Sequence, residues 1–571
     1  MTPPPVSLKR QEGSNPMDEQ HRIIDEVRRA AGPLENTVID DFVSGRLNRR
    51  QFLRRGSIVG ISIPALSAIV AACGGANSSS STASTSTAGG KAGATLKIAG
   101  VVPAAAINPL TVADEGGLTM LCQTGEFLCF DNPTTFLVEP MLATKWTPNS
   151  DGSVWTFDLR PNVKFNDGSG PMTADDVVYS FKQQCDPKSK SNALSVFTGL
   201  LTPSGVTKLG ANQVQFTLEA PNGNFPWLIS SDNYNMIIVP NGTDFSKWES
   251  TFIGTGPFKL VNYTAKVGAN FVPSPHWWGG KVMPARVEHL FYEIQTPQIQ
   301  ALESGNVDVV NLIVYQGAQG LFDNPSFDVL VNRSSQHREL SMRCDRAPFN
   351  DNRVRQAIAL TLDRPSIVKA LFATYGQVGN DSPFAPIFPS TDRSIPQRTQ
   401  NLTKAKQLLA AAGHPNGFSA TLYTEQYQEM PQYAQIIKQA AAQIGVDITL
   451  NVATQSAYYS NYWLSGEMSL VDYGHRGVPN VFLGAPLEST GTWNAAHFKN
   501  ATYDGLVKQY VAAVGVSAQQ AIAGQIETLL LDQTPLVIAY FFDGLSASRK
   551  GVGGVVTTAM GQIFLHGAYT S

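Results

Sequence analysis

The stretch Leu142-Ala-Thr-Lys-Trp-Thr-Pro-Asn-Ser-Asp-Gly-Ser-Val-Trp-Thr-Phe-Asp-Leu-Arg160 decides how the rest of the chain is read. Asn149 to Gly152 is a turn signal, because Asn and Asp side chains bond nearby backbone and Gly tolerates a left-handed conformation. After the turn, Trp155, Phe157 and Leu159 alternate with Thr156, Asp158 and Arg160, the period of a strand with one buried face. A second turn, Asn166-Asp-Gly-Ser-Gly170, precedes Thr173-Ala-Asp-Asp176. Thr173 suits a helix N-cap, acids fill the first turn, and Val177, Val178 and Phe181 supply an apolar face. A two-stranded unit therefore delivers into a capped helix.

Working outward, the same grammar repeats. Thr95 to Gly100 reads as a first strand and Leu118 to Phe127 has helical spacing. Asp351 can cap a helix with Val354, Ile358, Ala359 and Leu362 on its apolar face and Arg353, Arg355 and Gln356 outside. Leu402 to Gly413 and Tyr433 to Ile444 read as helices, with Gly413 and Gly445 at their ends. Val446 to Val452 reads as a strand, Ala518 to Asp532 as a helix, and Pro535 to Phe541 as a strand. Strands and helices alternate throughout, which argues for α/β lobes with mostly covered sheets.

The first 90 residues read differently. Arg49 and Arg50 stand before Phe52-Leu53, a mild apolar run from Gly56 to Ala72 follows, and it ends at Val70-Ala-Ala-Cys73-Gly. The run is shorter than the roughly 20 apolar residues a spanning helix needs, and Pro64 interrupts it. A basic flank, a short apolar core and a small-residue end favour a signal peptide. The arginine pair resembles a twin-arginine export signal, and the cysteine site resembles a bacterial lipobox, which implies cleavage before Cys73 and lipid on its sulfur and amino terminus. Residues 1–73 are then a leader. Residues 74–90, almost all Gly, Ser, Thr, Ala and Asn, have little apolar surface to offset ordering entropy and read as a flexible tether. The expected location is extracytoplasmic, on the bacterial cell membrane through lipidated Cys73.

Composition excludes some classes. The formal charge is −3 with no long run of like charge, so nothing points to nucleic acid. About 480 residues follow the tether, enough for two or three lobes. Cys122, Cys129, Cys185 and Cys344 match no zinc or redox spacing and are expected as buried thiols, with one bridge whose partners the spacing does not assign as the alternative. Eight histidines form no His-Glu-x-x-His or other ligand spacing. No nucleophile elbow, phosphate loop or dinucleotide fingerprint occurs in a usable context. The enzyme reading has no positive warrant and no bound cofactor is implied.

The order of motifs from Leu142 to Val177 resembles the family 5 extracellular solute-binding proteins of ABC importers. Gly254-Thr-Gly-Pro-Phe-Lys259, His276-Trp-Trp-Gly-Gly-Lys281, Gln298-Ile-Gln-Ala-Leu-Glu-Ser-Gly-Asn-Val-Asp-Val309 and Ala347 to Arg364 continue that resemblance in the family's order. It spans about residues 93 to 556. It implies an α/β, two-lobed, periplasmic-binding-protein-like fold with an elaborated first lobe and a ligand cleft bordered by a hinge. By analogy, lobe one holds 91–342 plus 539–571 and lobe two holds 343–538. The implied work is capture of a small polar solute, short peptides foremost, by a monomer that delivers it to membrane permease subunits. Opines, nickel chelates and oligosaccharides are the alternatives within the family. An extracytoplasmic hydrolase or a sensory binding protein is the alternative outside it.

Site candidates follow from the polar stretch Val471-Asp-Tyr-Gly-His-Arg-Gly-Val-Pro479. In peptide-binding relatives an Asp in the corresponding stretch pairs with the ligand's ammonium group. Matching on Asp472-Tyr473 leaves extra residues before Pro479, and matching on Pro479 places His475 or Arg476 at that position. An inward Asp472 favours a cationic ligand end. An inward Arg476 favours a carboxylate or other oxyanion. The remaining alternative is that the two satisfy each other or cap neighbouring backbone. Trp493, in a polar stretch, is the better aromatic candidate, whereas Tyr459 and Trp463, a helical turn apart, are expected in the core and Trp277 and Trp278 as packing residues. Tyr315 follows a strand and is expected to face the crevice.

Overall fold

The computed structural model describes residues 93–571. Arg49, Arg50, Cys73 and the tether lie outside the described residues. Two seven-stranded sheets organise the described chain. In the first, the strand order is Phe327–Asn332, Gly544–Arg549, Val309–Ile313, Thr95–Val101, Arg286–Tyr292, Gly268–Pro273 and Phe258–Thr264. Its central three strands are parallel: Thr95–Val101 pairs with Arg286–Tyr292 on one side and Val309–Ile313 on the other. The second sheet runs Gly376–Val378, Tyr540–Phe542, His337–Met342, Met468–Tyr473, Ser419–Glu425 and Asp447–Ala453, with Leu536–Val537 also pairing onto His337–Met342. Met468–Tyr473, Ser419–Glu425 and Asp447–Ala453 are mutually parallel.

The stretch that opened the sequence reading forms a four-stranded antiparallel sheet, Ala143–Pro148, Val154–Leu159, Gln213–Thr217 and Val206–Gly210. Trp155, Phe157 and Leu159 are buried and their neighbours are not, as the alternation requires. The helix Ala174–Cys185 follows, with a full capping box: Thr173 accepts at the helix start while Asp176 accepts the Thr173 N–H at 2.7 Å. This unit shares one hydrophobic core with the first sheet, so lobe one is the elaborated lobe. A separate core of Leu340, Val354, Ile358, Leu422, Ile437 and Val537 underlies the second sheet.

The lobe boundaries differ from the expected ones. His337–Met342, assigned by sequence to lobe one, pairs residue for residue with Met468–Tyr473 of the second sheet. Tyr540–Phe542 likewise pairs with Gly376–Val378. The sheets change over between Asn332 and His337 and between Phe542 and Gly544. His337–Met342, Tyr540–Phe542 and Gly544–Arg549 are mostly buried, and Phe327–Asn332 is mostly half-buried, so no polar stretch marks either crossing.

Arg355 also differs. It was expected on an outer face, but only 3% of its surface is exposed. Its guanidinium donates to the carbonyls of Phe349, Gln533 and Thr534, which ties the helix Asn352–Ala359 to the end of Val516–Gln533. Cys122, Cys129 and Cys185 are buried free thiols, whereas Cys344 is only half-buried. The helix expected from Leu118 to Phe127 spans Glu115–Thr124, started by Asp114, which accepts the Gly117 N–H. Among the described residues no helix is long and apolar enough to cross a membrane.

Candidate functional site

In α/β sheets, ligands collect outside the carboxyl ends of parallel strands. The carboxyl ends of both sheets meet at the crossings. Tyr315 follows Val309–Ile313 and packs against Phe322 at 5.2 Å and against lobe two's Tyr375 at 6.0 Å. Gln316 donates to the Leu371 carbonyl at 3.0 Å, a direct bond between lobes. Tyr315, Tyr375, Gln428, Glu429 and Phe542 line a cavity of about 70 Å³ there.

The lobe-two side of this junction is a charged wall. Arg338 is buried and donates to Gln428 at 2.7 Å and to Glu429 at 3.0 Å, with its guanidinium 4.5 Å over the Phe542 ring. Tyr540 donates to the same Glu429 at 3.0 Å. Across the strand pair from Arg338 stands Asp472, half-buried. Its Oδ1 lies 2.9 Å from the Tyr459 hydroxyl, which also lies 3.1 Å from Glu425 Oε1. Glu425 ends Ser419–Glu425, is fully buried, and its second oxygen has no hydrogen-bond partner. Desolvation, followed by the neighbouring Asp472 charge, pushes its carboxyl up to about 7.

Tyr473 and Asp472, adjacent in one strand, point to opposite faces. Tyr473 is buried against His337 and Phe482 and stacks on Trp493 at 5.9 Å. Trp493 is thus part of an aromatic packing group with Tyr473 and Trp463. Tyr459, expected in the core, is 38% exposed and serves the two acids instead.

His475 and Arg476 lie at the other end of the lobe junction. The His475 Nδ1 accepts the Ser335 backbone N–H at 3.1 Å, and the Arg476 N–H donates to Ser335 Oγ at 2.9 Å. The Gly477 N–H donates to lobe one's Asp232 at 2.7 Å. A side chain at position 477 would put its Cβ 2.6 Å from the Asp131 carboxyl, so glycine lets this approach form without displacing that acid. Asp131, Asp232 and His475 bring potential metal ligands within 4.8 Å of one another. The hydrogen bonding does not fit a cation. A neutral ring that accepts at Nδ1 carries its hydrogen on Nε2, which then has no lone pair for a metal. Burial holds His475 neutral, pushing it down to about 3, and the Arg476 charge acts in the same direction. Asp232 is pushed up to about 6 by burial, partly offset by the Arg476 charge and the Gly477 N–H.

A second, larger cavity of about 390 Å³ lies inside lobe one, lined by Glu126, Phe130, Met141, Trp277, Trp278 and Phe564. Glu126 accepts the Trp277 indole N–H at 2.9 Å on one oxygen and the Trp278 indole N–H at 2.8 Å on the other. Burial pushes its carboxyl up to about 7 against those bonds.

Sequence reasoning placed Asp472, His475, Arg476 and Tyr315 at the junction and missed Glu425, Arg338, Glu429, Asp131 and Asp232. The readable signal for Glu425 was a charged residue ending the alternating run Ser419-Ala-Thr-Leu-Tyr-Thr-Glu425.

Residues 138–484 match the family described as bacterial extracellular solute-binding proteins, family 5 Middle. The chain is 25% identical over 459 residues to heme-binding protein A of Haemophilus influenzae, covering 75% of this chain and 84% of that protein. It is 25% identical over 466 residues to the dipeptide-binding protein DppE of Bacillus subtilis, covering 75% and 83%. Among solved structures, the unliganded open form of the murein tripeptide binding protein MppA superposes with a TM-score of 0.74 at 22% identity, covering 84% of this chain and 98% of that one.

Proposed function

The chain belongs to the family 5 bacterial extracellular solute-binding proteins, and on that premise we propose that it captures short peptides between its lobes and presents them to an ABC permease. The observation that carries the peptide reading is the acidic group at the strand ends. Asp472 is half-buried and can accept from a solute's ammonium group, beside Glu425 and Tyr459. Charge-assisted hydrogen bonds of this kind are the strong ones. The relatives whose names state a dipeptide or a murein tripeptide support the same class. Capture is reversible and needs no bond-making step. Closure follows if the solute binds the closed arrangement better than the open one.

The protein works outside the cytoplasm, held to the membrane by lipid on Cys73 after export directed by Arg49 and Arg50. Cys73→Ala is expected to release it from the membrane fraction, and unchanged fractionation would end that part of the reading. The solute class is tested by thermal shift of the full-length chain against di- to pentapeptides, opines, nickel–histidine and oligosaccharides, since a solute that binds the folded state stabilises it by an amount that grows with the logarithm of its concentration over its dissociation constant. A shift with peptides that is lost in Asp472→Ala supports the proposal. A shift only with acidic solutes, lost in Arg476→Ala, replaces it with an anion receptor. The first reading is favoured because the Arg476 Nη1 already donates to the neighbouring His475 carbonyl and its charge acts on Asp232.

A further inference from the structure

Glu425, Tyr459 and Asp472 pose a question of hydrogen counting. One hydroxyl lies within hydrogen-bond distance of two carboxyl oxygens, 3.1 Å from Glu425 and 2.9 Å from Asp472. A hydroxyl has one hydrogen to donate. With Asp472 the nearer acceptor, the Tyr459 hydroxyl donates there, and its remaining contact is satisfied only if Glu425 carries a proton and donates to the Tyr459 oxygen. The chain is then Glu425 O–H to Tyr459 O–H to Asp472 carboxylate. Glu425 is fully buried and its Oε2 makes no hydrogen bond, although the Asp472 carboxyl and the Gln455 side chain also act on the group, so it is incompletely satisfied as it stands. We propose that Glu425 is the specificity-determining residue of the lobe-two wall: it and Asp472 hold one proton between them through Tyr459 until a primary ammonium group of the solute takes its place, and the proton leaves to solvent.

The surroundings fit an exchange rather than a static pair. Among the described residues, Arg338, from the neighbouring strand, is the one cation acting on this wall, and it is already engaged by Glu429. Tyr458 and Tyr459 face the acids from the helix Gln455–Asn461, Tyr427 faces them from the segment after Glu425, and Glu339 adds to the negative field. A buried second negative charge without a cation is costly. Protonation removes it in the unliganded state and an ammonium group compensates it in the bound state. A neutral or anionic end group does neither, which makes Glu425 a filter as well as a switch. With the Glu425 carboxyl raised to about 7, ammonium capture should release about half a proton at pH 7 and close to one at pH 6.

The inference rests on the peptide reading above, and two experiments keep their failures apart. Tri-alanine is titrated calorimetrically into the full-length chain at pH 6.0 and 7.0, where its amino group is charged, in buffers of different ionisation enthalpy. The expected result is proton release in the wild type, with affinity falling up to about tenfold per pH unit below the titration. Glu425→Gln mimics the protonated acid, because its amide can still donate to Tyr459. It should bind with no proton release and no pH dependence over that range. Binding without release in the wild type, or equal release in Glu425→Gln, overturns the exchange. If tri-alanine does not bind, the peptide reading falls and the exchange is decided on the unliganded protein. The difference in potentiometric titration between wild type and Glu425→Gln should then show one group titrating near neutrality, and its absence overturns the inference.

Discussion

Two buried carboxyl groups, Glu126 in lobe one and Glu425 in lobe two, are both pushed up to about 7, and desolvation is the main cause for each. Their partners separate them. Each oxygen of Glu126 accepts an indole N–H, and the group is locked between Trp277 and Trp278 beside an apolar cavity. Glu425 shares a single hydroxyl with a second acid, has one oxygen unpartnered, and stands at a strand end beside the half-exposed Asp472 and Tyr459. A raised carboxyl is therefore no sign of a site by itself. The satisfied one ties down its own lobe, and the incompletely satisfied one at a strand end is the acid proposed above to exchange its proton for a solute's ammonium group.

If that contrast is right, the largest effect of removing Glu126 is on stability. Glu126→Ala strands two half-buried indole donors and opens further space, at a cost of about 2–4 kcal/mol, read from urea unfolding. Binding per folded molecule should hardly change. Asp472→Ala is the converse. It should weaken capture of a cationic solute by about 2–4 kcal/mol, a loss of roughly 30- to 1000-fold in affinity by calorimetry, and leave the unfolding midpoint close to wild type. Tyr459→Phe removes only the shared hydroxyl and should cost about 1 kcal/mol of binding. If Tyr459→Phe instead destabilises the fold as much as Glu126→Ala, the two regions are not different in kind.

The smallest effect is on pH dependence, and its sign is fixed. Glu126 and Glu425 have folded-state values raised to about 7, above the ordinary 4.5, so between those values the folded state binds more protons than the unfolded one. Stability from these groups is therefore greatest at low pH and falls as pH rises through that window. Thermal unfolding of the unliganded chain at pH 5.5 and 8.0 should show this, and Glu126→Gln and Glu425→Gln should each flatten the trend. A trend of opposite sign in the wild type, or one that neither variant alters, would mean that other groups govern it.

Local grammar was legible in the sequence where the signals are short-range. The capping box of Thr173 and Asp176 and the alternation of Trp155, Phe157 and Leu159 depend on residues a few positions apart. So does the glycine turn after the helix Gln295–Glu303, where Gly305 has φ of 76°. The family resemblance rested on such units in a fixed order, and the family match covers most of them. Long-range pairing was not legible. Arg355 looked like a surface residue because its acceptors at Gln533 and Thr534 are about 180 positions away. The lobe crossings were displaced because His337–Met342 is buried in either assignment, and only its partner strand decides the lobe. Tyr459 at helical spacing from Trp463 looked like core, and only the fold brings it to Glu425, 34 positions earlier. The order of elements could be read, but the acids that meet across strands could not.

The most direct test of capture between lobes is small-angle scattering from the full-length chain, solubilised and monodisperse, with and without a saturating peptide from the thermal-shift panel. The account predicts a smaller radius of gyration with peptide and no change in Asp472→Ala at the same concentration. Peptide bound by calorimetry in the wild type, with the radius unchanged, would contradict it.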